Sequence, residues 1–161
     1  MQFSKQKQSL LFKQTVATYI IFTVFIIIKT IFKLFIPLYI LILIVITLFG
    51  HSFIGNYLNF YNRSQHFDRY LHVFGSFSTA LFIFSIITNI INPTVSSKLY
   101  SAFFVVSLGM SSGVFFEIME FSQDSISKTN HQKGLKDTDL DLICNVIGST
   151  IAGVFAYFFL I

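Results

Sequence analysis

The residues of this chain that can do chemistry are its acidic side chains, which are few and unevenly placed. The sequence has seven Asp and Glu residues, and none of them precedes position 68. Carboxylates beside a histidine are a ligand set for a divalent cation such as Mg²⁺, Mn²⁺ or Zn²⁺. Such an ion can activate water or hold a phosphate. The acids stand in the order Asp68, Glu117, Glu120, Asp124, Asp137, Asp139 and Asp141.

The elements that must position these acids are membrane-spanning helices. Of the 161 residues, 54% are hydrophobic and 11% are charged, and the mean hydropathy is +0.73. A soluble domain carries about 25% charged residues, so lipid must cover this surface. We expect a single all-α domain over residues 1–161, a polytopic transmembrane helix bundle in the cell membrane with the lipid bilayer as its partner. The basic residues separate apolar blocks and form no stripe, which argues against nucleic acid.

The apolar blocks predict about five spans, with four to six possible. Residues 15–50 would rise about 54 Å as one helix, far more than the roughly 30 Å hydrocarbon core. A break is therefore expected near Lys29, Lys33 and Pro37, although one kinked span plus an interfacial segment also fits. Pro93 is a stop signal for a later helix. The predicted helices cover residues 10–30, 34–54, 67–91, 99–121 and 138–161.

The distribution of Lys and Arg predicts the orientation, because cytoplasmic loops carry the excess of these residues. With five spans and a cytoplasmic N-terminus, the inner side carries Lys5, Lys7, Lys13, Arg63, Arg69, Lys128, Lys133 and Lys136. The outer side then carries Lys29, Lys33 and Lys98. This excess favours a cytoplasmic N-terminus and places the polar loop at residues 122–136 inside.

Chain direction is expected to bring the acids to one membrane face. Asp68 begins the third helix, Glu117 ends the fourth and Asp141 lies early in the fifth. Antiparallel neighbours joined by short loops place these ends on the same side, and glycine and serine on the same helix faces allow close approach. The predicted pocket contains Asp68, His72, Glu117, Glu120, Asp137, Asp141 and Asn145.

Within the pocket, five residues are the predicted ligands of a divalent metal ion: Asp68, His72, Glu117, Glu120 and Asp141. A single acid in mid-membrane costs about 2.5–3.5 kcal/mol, and converging acids also repel one another. They must be protonated, paired with Arg63 or Arg69, or neutralised by a cation. The competing interpretation is that each is an ordinary polar group at a helix end, meeting water and headgroups.

Two further acids are expected to stay outside the pocket, because Asp124 and Asp139 miss the shared helix faces. Asp137 has a simpler role open to it, since Asp137 or Thr138 is a plausible N-cap of the last helix.

The remaining histidines and the single cysteine are not expected to form the site. His51 and His131 have no partner by helical spacing, whereas His66 is adjacent to the cluster and is able to join it. Cys144 lies in an apolar run and is expected to be an inert packing residue.

Three motifs follow one another in the second half of the chain. They are Phe-Asp-Arg-Tyr-Leu-His-Val-Phe at 67–74, Glu-Ile-Met-Glu-Phe at 117–121 and Asp-Thr-Asp-Leu-Asp at 137–141. Together they resemble the YjdF-like and VanZ-like families of small membrane proteins, over residues 60–155. The resemblance implies a multi-pass prokaryotic membrane protein, and its VanZ-like side points towards the cell envelope, but it implies no reaction. The chain lacks the tryptophans that those families often have beside the Glu motif.

Three functions are compatible with this pattern. The chain can be an enzyme that acts on a lipid-linked or phosphorylated headgroup, a cation- or proton-coupled carrier, or an accessory subunit whose polar cluster holds helices together. A carrier needs polar residues that continue to the opposite face, and the sequence offers few, such as His51 and Ser107. We therefore favour an integral membrane protein of unknown activity whose carboxylate and histidine cluster, at the cytoplasmic face, binds a divalent metal or a polar headgroup.

Overall fold

A computed structural model of the chain describes residues 2–91, 97–127 and 132–161, and every regular element in these ranges is a helix. The all-α prediction is therefore confirmed. Pro93, Lys128 and His131 lie outside the described residues. In chain order the elements are α1 (Gln2–Ile31), α2 (Leu38–Phe49) with a π-helical continuation (Gly50–Tyr57), α3 (Phe60–Arg63), α4 (Gln65–Ile91), α5 (Lys98–Ser127) and α6 (Leu135–Phe159).

Four helical stretches in the described part of the chain are long and apolar enough to cross a membrane, which supports a polytopic bundle. The apolar part of α1, Thr15–Ile31, is shorter and rises about 25 Å. A fifth crossing by α1 stays a prediction. The four stretches are Leu38–Tyr57, His66–Ile91, Lys98–Ile126 and Leu135–Phe159.

The long apolar block near the N-terminus is interrupted between α1 and α2, where a break was expected. The chain leaves the helix after Ile31, Lys33 adopts a left-handed conformation with φ +53°, and α2 begins after Pro37. The side chain of Asn89 holds this turn: its Nδ2 donates to the carbonyl of Phe35 over 2.8 Å, and its Oδ1 accepts from the Phe35 N–H over 2.7 Å. Because Asn89 lies near the end of α4, α2 and α4 run antiparallel.

Glycines let α4, α5 and α6 approach closely. A Cβ atom at Gly148 of α6 would collide with the Val73 backbone carbonyl of α4. A Cβ at Gly113 of α5 would collide with the side chain of Asn145 on α6. In lipid, van der Waals packing of this kind replaces the hydrophobic effect as the force that associates helices. These contacts make α4 and α6 parallel and α5 antiparallel to both, so the starts of α4 and α6 meet the end of α5.

The interior of the bundle is small and partly polar, whereas its exterior is bulky and apolar. Leu81, Val105 and Ala152 are completely buried. Two hydroxyl pairs cross between helices in the same interior, Thr47 with Ser78 at 2.7 Å and Thr79 with Ser112 at 2.9 Å. Large side chains such as Phe115 and Phe158 point outward. This arrangement suits a chain whose solvent is lipid.

The polar residues after the predicted end of the fourth helix continue that helix. We expected an end near residue 121, but α5 runs to Ser127. The hydroxyls of Ser122 and Ser125 donate to the carbonyls of Ile118 and Phe121 over 2.8 and 2.9 Å. Each serine hydroxyl is thus hydrogen-bonded to a backbone carbonyl of its own helix, so these polar residues do not end the helix.

The start of α6 differs from the expected cap. Gly134 is the N-cap residue, with φ +114°, a conformation that L side chains rarely adopt. The prediction that Asp137 or Thr138 caps this helix is therefore wrong. Asp137 lies in the first turn, where a carboxylate suits the helix dipole, and its Oδ2 accepts from the backbone N–H of Lys133 at 3.3 Å.

We predict that Gly148→Ala destabilises the bundle by about 1–3 kcal/mol, because the new methyl group meets the Val73 carbonyl, which cannot rotate away. Thermal unfolding in detergent measures the effect. Gly75→Ala is the matched control, since a Cβ there makes an ordinary 3.6 Å contact with Thr47. Equal melting temperatures for the two variants would contradict the close contact of α4 and α6.

We also predict the orientation of each end, on a background in which Cys144 is replaced by alanine. Ser97→Cys should react with a membrane-impermeant maleimide in intact bacterial cells, because its loop is predicted outside. Leu135→Cys should react only after permeabilisation. The reverse pattern would overturn the orientation drawn from the basic residues.

Phe12→Cys decides whether α1 crosses the membrane, since it should behave like Leu135→Cys if α1 spans the bilayer and like Ser97→Cys if it does not.

A buried carboxylate and histidine cluster

His72 lies at the centre of a group of buried polar side chains contributed by α4, α5 and α6. Its Nε2 atom is 3.5 Å from Oε1 of Glu117 on α5 and 3.6 Å from Oδ1 of Asp68, one turn earlier on α4. Its Nδ1 atom is 3.2 Å from Oδ1 of Asn145 on α6. The imidazole thus contacts polar groups from all three helices whose ends meet at this level.

The structure brings all seven residues of the predicted pocket to this end of the bundle. Six of them are buried, and Asp137 is half-buried at the start of α6. The exposed fraction is 6% for His72, 5% for Glu117 and 3% for Asp141, so water reaches none of the three freely. The six buried residues are Asp68, His72, Glu117, Glu120, Asp141 and Asn145.

Several polar atoms of the cluster have no hydrogen-bond partner among the described residues. They include Nε2 of His72, Oε1 of Glu117 and Oδ1 of Asp141. Leaving a buried polar atom unpaired costs about 1–3 kcal/mol, and more for a charged group. These three atoms lie at the end of the bundle where α4, α5 and α6 meet.

The spacing of these side chains is compatible with the ligand shell of a metal ion. Ligand atoms of His72, Glu117 and Asp141 all lie within 4.8 Å of one another. Ligands about 2.0–2.2 Å from one ion stand roughly 3–3.5 Å apart in tetrahedral or octahedral geometry. The 3.5 Å between His72 and Glu117 is close to that value and longer than a normal hydrogen bond. The ligand atoms are equally close in two further groups. These are Asp68 with His72 and Glu120, and Asp68 with Asp137 and Asp141.

The contact with Asn145 selects the tautomer of His72. Because the carboxamide oxygen can only accept, the Nδ1 atom of His72 carries the proton that is donated to it. The Nε2 atom then faces Glu117 and Asp68. In metal sites, a neighbour that accepts from one ring nitrogen orients a histidine ligand in this way.

Gln132 closes one side of the cluster, and nothing in its sequence context indicated this. Its side-chain Nε2 donates to the backbone carbonyl of Glu117 over 3.2 Å and to the Oε2 carboxylate atom over 3.1 Å. Its backbone N–H donates to Oδ2 of Asp124 over 2.9 Å. Asp124, which we expected off the shared faces, therefore lies at the rim of the cluster through Gln132.

His51 belongs to the same end of the bundle and has a partner that helical spacing did not indicate. Its Nδ1 atom and the Tyr61 hydroxyl share a 2.6 Å hydrogen bond, and its ring packs edge-on against Phe116 at 5.5 Å. Phe116 in turn packs edge-on against His72 at 5.7 Å. Helical spacing does not predict this contact. The position of His51 along its span does indicate it, because His51 lies near the end of that span on the side where the acids meet.

Tyr61 responds to the cluster electrostatically. Burial raises the pKa of its hydroxyl well above the usual range, and the negative charges of Asp68, Glu120 and Asp141 raise it further. Its phenol therefore stays protonated at neutral pH. A protonated phenol beside carboxylates can donate a hydrogen bond to an anionic or polar group that enters the cluster.

The other candidate residues take no part in the three metal-ligand groups of the described chain. His66 is exposed, as are Asp139 and Arg63, and the free thiol of Cys144 is half-buried. Arg69 is half-buried, and its positive charge interacts electrostatically with Asp141.

Comparison with known proteins gives a family and no reaction. No solved structure matches the chain. An uncharacterised protein of Thermotoga maritima is 41% identical over 105 residues, a match that covers 63% of this chain and 53% of that relative. The chain thus spans about half the length of the curated relative it matches. None of the comparisons gives the YjdF-like or VanZ-like name. The family model for a predicted membrane protein, DUF2238, matches residues 1–161, and the chain belongs to this family.

Proposed function

We propose that this membrane protein binds a divalent cation with His72, Glu117 and Asp141, and uses it to hold a phosphorylated or other polar headgroup at the membrane surface. The observation that carries the proposal is that ligand atoms of these three buried residues lie within 4.8 Å of one another, and that each residue has a buried polar atom without a hydrogen-bond partner among the described residues. Asp68 and Glu120 form a second ligand group with the same histidine. The ligands match Mg²⁺, Mn²⁺ or Zn²⁺, since carboxylate oxygens predominate and one imidazole is present.

The depth of the cluster supports a substrate at the interface. Asp141 lies six residues after Leu135, the first residue of its helix, about 9 Å along the axis. The ion would therefore stand just below the headgroup layer, where a lipid-linked phosphate could reach it. Tyr61 and Lys133 stand at the same end, and the Lys133 ammonium donates to the Tyr61 carbonyl over 3.0 Å. The YjdF-like and VanZ-like resemblance fits an envelope headgroup and stays a prediction.

The other two functions receive less support from the packing. A carrier needs a polar path to the far side, but beyond the cluster the buried described residues are apolar side chains such as Leu81 and Val105 and a few serines, with no further charged group. An accessory subunit needs the cluster only as an adhesive between helices, in which case its buried atoms should pair with one another. His72 does pair with Glu117 and with Asn145, but Oδ1 of Asp141 has no hydrogen-bond partner among the described residues, and this argues against an adhesive role alone.

Metal analysis tests the proposal directly. The protein, purified in detergent and incubated with each of the three cations, should retain at least one equivalent after desalting. The double variant Glu117→Gln, Glu120→Gln should retain at least one equivalent less than the wild type, because neutral amides replace two ligand carboxylates at almost the same volume. Asp139→Asn is the matched control, since its exposed carboxylate lies two residues from Asp141 on the same helix and should leave the metal content unchanged. Equal, negligible metal in the wild type and the double variant would refute the proposal.

A second prediction concerns the positioning of His72 by Asn145. Asn145→Ala should weaken metal binding by about 10–100-fold, the range found when an outer-shell partner of a metal ligand is lost. Ser149→Ala is the matched control, because among the described residues this buried hydroxyl of α6 bonds only the backbone carbonyl of Asn145, over 2.6 Å. Both variants should lose some thermal stability, but only Asn145→Ala should change the metal affinity measured by titration. A similar affinity change in both variants would show that Asn145 acts through packing alone.

A further inference from the structure

We infer that the cluster is built for two divalent cations, one held deep between the three helices and a second held by carboxylates at its rim, with Asp141 between them. The inference rests on the proposed function, because it assumes that the deep site binds metal. It assigns to Asp137, at the start of α6, a role as a ligand of the second ion.

The overlap of the ligand groups indicates two ions. The group with Glu117 and the group with Glu120 both require His72. Since Nδ1 of His72 is engaged by Asn145, only Nε2 remains as a ligand atom, and it can bind only one ion. These two groups are therefore alternatives for one deep ion.

The third group does not compete with the deep ion. It consists of Asp68, Asp137 and Asp141 and contains no histidine. It shares only Asp141 with the group formed by His72 and Glu117. A carboxylate has two oxygens and can bridge two ions, as the ligands between paired metals about 3.5–4 Å apart do. The deep group and the rim group can thus be filled together.

The burial of the carboxylates also supports two ions. Asp141 is 3% exposed, and its Oδ1 atom has no hydrogen-bond partner among the described residues. One of its two carboxylate oxygens is therefore available to a metal ion. The deep group of His72, Glu117 and Asp141 uses only two of the acids that converge at this end of the bundle. The acids that converge here are Asp68, Glu117, Glu120, Asp137 and Asp141.

The two positions differ in access. The deep group lies among residues that are all buried, whereas Asp137 of the rim group is half-buried and follows the polar residues Lys133 and Gly134. The rim ion therefore has room for water or for a phosphate oxygen in its open positions. Two ions placed in this way can clamp one phosphate group, which narrows the ligand class of the proposed function to phosphate esters.

The experiment is a manganese titration of the full chain in detergent, followed by metal analysis and by electron paramagnetic resonance. The wild type should bind two equivalents of Mn²⁺, and the second equivalent should replace the six-line spectrum of an isolated ion with the spectrum of a coupled pair. Neither measurement depends on a variant that has to fold. One equivalent with an isolated spectrum at saturation would overturn the second ion and leave the proposed function standing. No bound Mn²⁺, Mg²⁺ or Zn²⁺ would overturn both.

Variants then locate the second ion. Asp137→Asn and Asp137→Ala should each bind one equivalent of Mn²⁺ with an isolated six-line spectrum, because the deep ligands remain. Asp139→Asn, two residues away and exposed, should keep both ions and the coupled spectrum. Two equivalents in both Asp137 variants would overturn the rim site at Asp137. Circular dichroism and the melting temperature confirm that each variant is folded before it is scored.

Discussion

The contact that the rest of the structure depends on is the close parallel approach of α4 and α6 at Gly148. A side chain at this position would hold the two helices apart by the size of a methyl group, and His72 would lose its contact with Asn145. Because the hydrophobic effect does not drive helices together in lipid, such contacts supply the association energy. The same approach aligns the starts of two helices in depth, so that Asp68 and Asp141 stand on one level. The site is thus a consequence of packing between small residues.

The meeting of the acids could be predicted because it follows from chain direction alone. Asp68 and Asp141 follow the starts of two parallel spans, and Glu117 precedes the end of the span between them, so a bundle with short loops must bring them together. The small residues on the same faces, Gly113 and Gly148 among them, indicated which faces approach. Helical periodicity and the cost of burying charge were sufficient for these steps.

The parts that could not be predicted depend on irregular backbone. His51 contacts Tyr61 because the chain passes through a π-helical segment and then a left-handed Asn59, with φ +61°. Periodicity describes neither feature. Gln132 reaches Glu117 from a loop in which any polar residue was equally plausible. The cap of α6 was misassigned because Asp137 has the usual chemistry of an N-cap, whereas the conformation at Gly134 decides where the helix begins.

The bundle is polar inside and bulky outside, and this determines how the protein responds to its surroundings. Its exterior meets acyl chains with residues such as Phe115, Ile118 and Phe158, which contact any hydrocarbon equally well. Its interior hydroxyl pairs, Thr79 with Ser112 among them, bond one another between helices. The chemical identity of the acyl chains should therefore matter little to the fold. Bilayer thickness should matter more, since a thinner or thicker membrane tilts the helices and changes the angle at which they cross.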